Sequence, residues 1–98
     1  MTLGKVAGTV VSTNKEPLLE GIRFLVVEKV RYPDMSGTGD YLVAMDAVGA
    51  GVGELVMVVA GSSSRLTEVT KDRPADATIT AIVDEVDLEG ATVYRKYG

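Results

Sequence analysis

Val48-Gly49-Ala50-Gly51-Val52-Gly53-Glu54 runs directly into Leu55-Val56-Met57-Val58-Val59-Ala60 and then into Gly61-Ser62-Ser63-Ser64-Arg65. The reading of this stretch decides the fold. A glycine-dense turn feeds an apolar strand without a polar face, and the strand stops at a bend of small residues closed by an arginine. A strand on the wall of a small barrel normally turns one face to the core and one to water, so its residues alternate. Residues 55–60 do not alternate, which predicts cover on both faces. In a chain this short the second cover is most simply another copy of the same chain.

Length and composition agree with that reading. The 98 residues make one domain, 1–98, with a single modest core. Hydrophobic residues reach 46%, more than such a core needs, and contacts between copies would account for the surplus. The longest apolar run falls far short of the ~20 residues of a membrane span. The opening Met1-Thr2-Leu3-Gly4-Lys5 has no apolar signal core. The expectation is a cytoplasmic protein with no membrane partner.

The chain has no cysteine and no histidine. Disulfides, thiolate metal sites and histidine-based nucleophilic triads are therefore excluded. The net charge is −4 and the aromatics are four tyrosines and one phenylalanine. Neither a cationic footprint nor a stacking platform for nucleic acid is expected. No cofactor, metal or catalytic residue is assigned.

Short strands account for most of the chain. Leu3–Thr13 reads as a strand with a bulge or curl at Gly8, since a glycine inside a strand marks one. Ile22–Tyr32 is the longest candidate, with Ile22, Phe24, Val26 and Val30 assigned to one face. Pro33–Asp40 forms a hairpin tip, and Tyr41–Asp46, residues 54–60 and Ile79–Asp87 follow as strands. Ser62–Leu66 is the best place for a helical turn, with a serine as cap. Leu88-Glu89-Gly90 turns the chain into a last, more polar edge strand, Ala91–Tyr97. Five or six curved strands with one short helix predict an all-β barrel with Greek-key connections.

Three constellations could carry chemistry. Gly49-Ala50-Gly51-Val52-Gly53 superficially resembles a dinucleotide fingerprint, but a strand follows it, not a helix, and no phosphate-binding lysine follows. A turn needing positive φ, or a close backbone approach between subunits, suits it better. Ser62-Ser63-Ser64-Arg65 lacks a general base. It reads as a helix cap with an arginine for an ion pair, either between subunits, which is preferred, or on the surface. Asp46 and Asp84 could converge as a hydrolytic or metal-binding pair. The plainer reading is that strand-end acids accept turn hydrogen bonds.

Taken together, four segments resemble one family. Gly4-Lys5-Val6-Ala7-Gly8-Thr9-Val10-Val11-Ser12-Thr13-Asn14-Lys15 with Leu19-Glu20-Gly21 resembles the opening of the EutN/CcmL family, the pentameric vertex proteins of bacterial microcompartments. Val43 to Glu54 is similar to its middle signature and Gly61 to Arg65 to its glycine-serine-small-small-arginine element. Arg73-Pro74-Ala75-Asp76-Ala77 with Ile82-Val83-Asp84 is similar to its closing segment. The resemblance covers residue 3 to about 86. It implies an OB-like β-barrel of five to six strands with one short helix, assembling as a ring pentamer. It further implies a non-enzymatic protein that caps the vertices of a carboxysome or metabolosome shell, with hexameric shell proteins as partners. By the same analogy Gly49, Ala50, Gly51, Gly61, Ser62, Ser63, Ser64 and Arg65 are expected at subunit contacts around the five-fold axis. The stretch 88–98 runs beyond where many relatives finish and is expected to be a C-terminal extension. The competing function is an OB-type binding module for an oligonucleotide or a small anion, which would need a cationic groove.

Overall fold

The computed structural model describes residues 1–11, 21–60 and 77–96. Among the described residues there are seven strands: β1 (Thr2–Val10), β2 (Phe24–Arg31), β3 (Ser36–Asp46), β4 (Leu55–Ala60), β5 (Ala77–Ile82), β6 (Glu85–Leu88) and β7 (Ala91–Arg95). The first five close into a barrel in the order β1-β2-β3-β5-β4. All pairings are antiparallel except β3 with β5, which is parallel. This five-stranded, Greek-key order is that of an OB-like barrel. No helix occurs among the described residues, and the helical turn expected at Ser62–Leu66 lies outside them.

The barrel closes because its strands bend at defined places. The β1–β2 register slips between Val6 and Gly8, where the sequence predicts a bulge. Gly4 lies where β1 passes close to β2, and a Cβ there would land inside the Val27 side chain. Val6, Leu25, Val27, Ala44, Ala50, Val56, Val58 and Ile79 fill the barrel.

On β2 the structure reverses the face expected from sequence. Leu25 and Val27 are fully buried, whereas Phe24 and Val26 face outward and are only half-buried. The β2–β3 register slips between Glu28 and Val30. The slip takes up two extra residues on β3, from Tyr41 to Gly37 against Glu28 to Val30, so the alternation of β2 itself is unbroken. Val30 shares the outer face with Phe24 and Val26 and is buried outside the barrel, so reading its burial as barrel interior puts the wrong side chains in the core.

The expected fifth strand, Ile79–Asp87, is two strands separated at Val83 and Asp84. The second of these, β6, pairs with β7 as a separate two-stranded hairpin. Its turn is Glu89-Gly90, both with positive φ (52° and 82°), the backbone a tight two-residue hairpin requires. Strand β6 begins at Glu85, and residue 88, the expected start of the extension, is that strand's last position.

A second, smaller core lies outside the barrel wall. Val30, Met35 and Leu55 are buried together, with Leu3, Val83, Val86, Val93 and Tyr94 packed against them. This changes the account of residues 55–60. Val56 and Val58 face the barrel core, and Leu55 faces out but is covered by the chain's own C-terminal hairpin. Only Met57 and Val59 remain half-exposed on the outer face of β4. The second cover of this strand is therefore partly intramolecular.

Candidate assembly surface

The glycine turn is a built structure. Asp46 ends β3, and its Oδ1 accepts N–H bonds from Val48, Gly49 and Ala50 at 3.1, 3.0 and 3.3 Å. Its Oδ2 takes Arg23 Nη1 at 3.2 Å, and the Asp46 side chain is only 2% exposed. On the far side, Glu54 Oε1 accepts the Gly51 N–H at 2.6 Å. The Gly53 N–H donates to the Val6 carbonyl at 2.8 Å, which ties the turn to β1. Gly49 and Gly53 have φ of 76° and 93°, a region where a side chain is strained. Turn chemistry thus explains two of the glycines.

Ala50 is buried and belongs to the barrel core, so it anchors the turn from inside. Gly49 is exposed and Gly51 half-buried. Val48 and Val52 flank them with exposed side chains, Val52 at 66%. The tip of the turn is thus an apolar, outward-facing knuckle on a fixed base. Gly61, Ser62, Ser63, Ser64 and Arg65 lie outside the described residues.

The carboxylate pair considered from sequence does not form. Asp46 lies beside Ile79 at the start of β5, and Asp84 follows its end. Five residues of extended chain separate them by on the order of 15 Å. The Asp46 carboxylate is committed to the turn, as the plainer reading holds. Among the described residues no cluster of acids suits a metal ion.

Glu54 carries a second ion pair at the turn, on the side away from Asp46. Lys96 Nζ approaches its Oε2 at 2.9 Å. The Lys96 hydrogen bond, then the Gly51 N–H, hold the carboxyl below the ordinary glutamate range, against a smaller opposing effect of desolvation.

A second feature escapes the sequence reading. The outer faces of β1, β2 and β3 carry an apolar block. Val10 is opposite Phe24, Gly8 opposite Val26, and Val26 opposite Val43, with Tyr41 two residues before Val43. Tyr41 and Val43 are 59% and 53% exposed, and Val10 and Val11 are exposed as well. Contiguous apolar surface of this kind marks an interaction site more often than open solvent contact. The signal was present in sequence: Phe24-Leu25-Val26-Val27 and Tyr41-Leu42-Val43-Ala44-Met45 are apolar on both faces, as is β4.

A closed OB-like barrel with an open apolar flank and a braced apolar knuckle is a building block, shaped for contact with other protein surfaces. The family model "Ethanolamine utilisation protein EutN/carboxysome" matches residues 1–84. The carboxysome shell vertex protein CcmL of Synechococcus elongatus is 47% identical, with 98% of this chain and 96% of that protein covered. The solved structure of Gloeobacter violaceus CcmL superposes with a TM-score of 0.93 at 37% identity, each chain covered completely. The pentameric microcompartment shell protein GrpN of Rhodospirillum rubrum gives 0.79 at 43% identity, covering 90% of this chain and 99% of its own. The chain belongs to the EutN/CcmL family, the shell vertex proteins of bacterial microcompartments. Among the described residues no helix is long and apolar enough to cross a membrane.

Proposed function

We propose that five copies of this chain close into a ring that caps a vertex of a polyhedral shell, and that its work there is geometric and not catalytic. The observation that carries this reading is the outward apolar block on one barrel flank, with Val10, Tyr41 and Val43 exposed and Phe24 and Val26 half-buried. A ring that closes by rotation uses two different surfaces on each copy, one donating and one receiving. The block supplies one. The half-exposed Met57 and Val59 and the knuckle of Val48, Gly49, Gly51 and Val52 supply the other. Ala50 contributes by anchoring that knuckle. Residues 61–65 join the contact around the five-fold axis, and Arg65 pairs with a group on the neighbouring copy.

A flat sheet of hexagonal tiles cannot close on itself, so five-fold units must supply the curvature. Hexameric shell proteins are the partners this reading requires. Nucleic acid and membrane are not partners, in keeping with the net charge of −4 and the absence of any cationic face in the sequence pattern. Co-expression with a hexameric shell protein tests it: electron microscopy is expected to show closed polyhedra with this chain and open sheets or tubes without it. Closed shells that form equally well without the chain would contradict the vertex role. Arg65→Ala is expected to weaken the ring while the protomer still folds, because stranding one partner of a desolvated pair typically costs about 3–5 kcal/mol.

A further inference from the structure

We infer that the C-terminal hairpin β6–β7 is a clamp that fixes the conformation of the glycine turn through Lys96 and Glu54. The chain of contacts is short. Lys96 follows β7, and its backbone N–H donates to the Asp84 carbonyl at 2.8 Å, closing the base of the hairpin. The Lys96 ammonium then bonds Glu54 Oε2 at 2.9 Å. The other oxygen of that carboxylate holds the Gly51 N–H at 2.6 Å. Val83, Val86, Val93 and Tyr94 seat the hairpin on Leu55 and Leu3, so the ammonium is delivered by a docked element and not by a loose tail.

The turn has two halves with unequal support. Asp46, buried and accepting three N–H groups, holds the half from Val48 to Ala50. The half from Gly51 to Gly53 contains two glycines, and glycine has the largest conformational freedom to lose. Its N–H groups bond the Glu54 carboxylate and the Val6 carbonyl, and the Gly51 carbonyl accepts the Glu54 N–H. A glutamate side chain has three rotatable bonds, and a second partner at its far oxygen removes most of that freedom. Lys96 is that partner. The family match ends at residue 84, one residue before β6, and GrpN aligns over only 90% of this chain while being almost fully covered itself. The hairpin is nonetheless part of the fold shared with full-length relatives, since this chain and Gloeobacter violaceus CcmL cover each other completely.

Hydrogen exchange of the full chain, read on peptides spanning 48–54, tests this. Lys96→Met is expected to speed exchange there roughly three- to ten-fold, the factor for losing one partly exposed charged bond. Peptides in β2 and β3 are expected to stay unchanged. Lys96→Arg is expected to restore protection to within about two-fold, since a guanidinium can also reach a carboxylate. High salt should loosen the wild-type turn and leave Lys96→Met as it is. Unchanged exchange at 48–54 in Lys96→Met would overturn the clamp, and so would equal loosening of every strand. The consequence for assembly rests on the ring reading: the ring of Lys96→Met should dissociate at higher protein concentration than wild type. A wild-type chain that forms no ring would refute the ring alone, because the exchange result stands without it.

Discussion

Val26 on β2 and Val43 on β3 stand directly opposite each other on the outside of the barrel, where no described element covers them. Side chains this apolar belong in a strand core, and their partners Leu25 and Val27 occupy it. The outward pair is therefore surplus to the fold of one copy. It becomes intelligible when a neighbouring copy lies against it.

Val43→Lys tests this directly. A lysine at that position is harmless in water but places an unpaired charge in an apolar contact, which is strongly disfavoured. The ring is expected to fall apart into protomers in sedimentation velocity. The thermal transition of the protomer should move little, since Val43 contributes nothing to the barrel core. A variant that remains a ring would remove this flank from the interface.

Asp46 is expected to be the most sensitive acidic position. Asp46→Ala leaves three turn N–H groups without their acceptor and should cost about 1–3 kcal/mol in urea unfolding, the penalty for one buried unpaired group, because the exposed Val48 and Gly49 N–H groups can turn to water. Asp46→Asn keeps an oxygen in place and should cost less. Arg23→Ala should cost under about 1 kcal/mol, because the arginine side chain is more than half exposed and exposed ion pairs contribute little.

Leu55 joins barrel and hairpin. It is fully buried, so Leu55→Ala should cost about 2–4 kcal/mol. The loss should appear as undocking of the hairpin as well as lower global stability. Tyr94, packed on the same cluster, reports it through its fluorescence.

The contact between Glu54 and Lys96 gives a pH dependence with a definite sign. The folded-state pKa of Glu54 is depressed, so its contribution is fully present above the ordinary glutamate pKa of about 4.3. It fades as pH falls through the lower folded value. Exchange of the 48–54 amides should therefore be flat from neutral pH down to about 5, after correction for intrinsic rates. It should rise below that in wild type, and Glu54→Gln should flatten the rise. A rise centred near pH 7 would point to some other group.

Much of this architecture is legible in the residues, for identifiable reasons. Gly8 announces the β1 bulge because a glycine interior to a strand has few other uses, and the register does slip there. Leu88-Glu89-Gly90 announces the last turn because only particular residues accept positive φ at consecutive positions. The terminal position of Asp46 announces its turn hydrogen bonds. What sequence conceals is which of two apolar faces lines the barrel. Val30 is buried by the second core outside the barrel, so alternation carried back from it assigns Phe24 and Val26 to the barrel interior, which Leu25 and Val27 occupy. Two-sided apolar strands add to the difficulty, since each face looks fit for the core. Met35, placed in an exposed hairpin tip by sequence, is buried with φ of 57°. Most of its cover is distant in sequence, from Leu3 before it to Leu55, Val83, Val86, Val93 and Tyr94 after it, which no local pattern reveals.

The mass of the intact assembly tests the central claim most directly. Native mass spectrometry of the full chain at low micromolar concentration is expected to give one dominant species at five times the 10.3 kDa chain mass. A dominant 10.3 kDa species under the same conditions would contradict the ring, and with it the function assigned to the apolar flank.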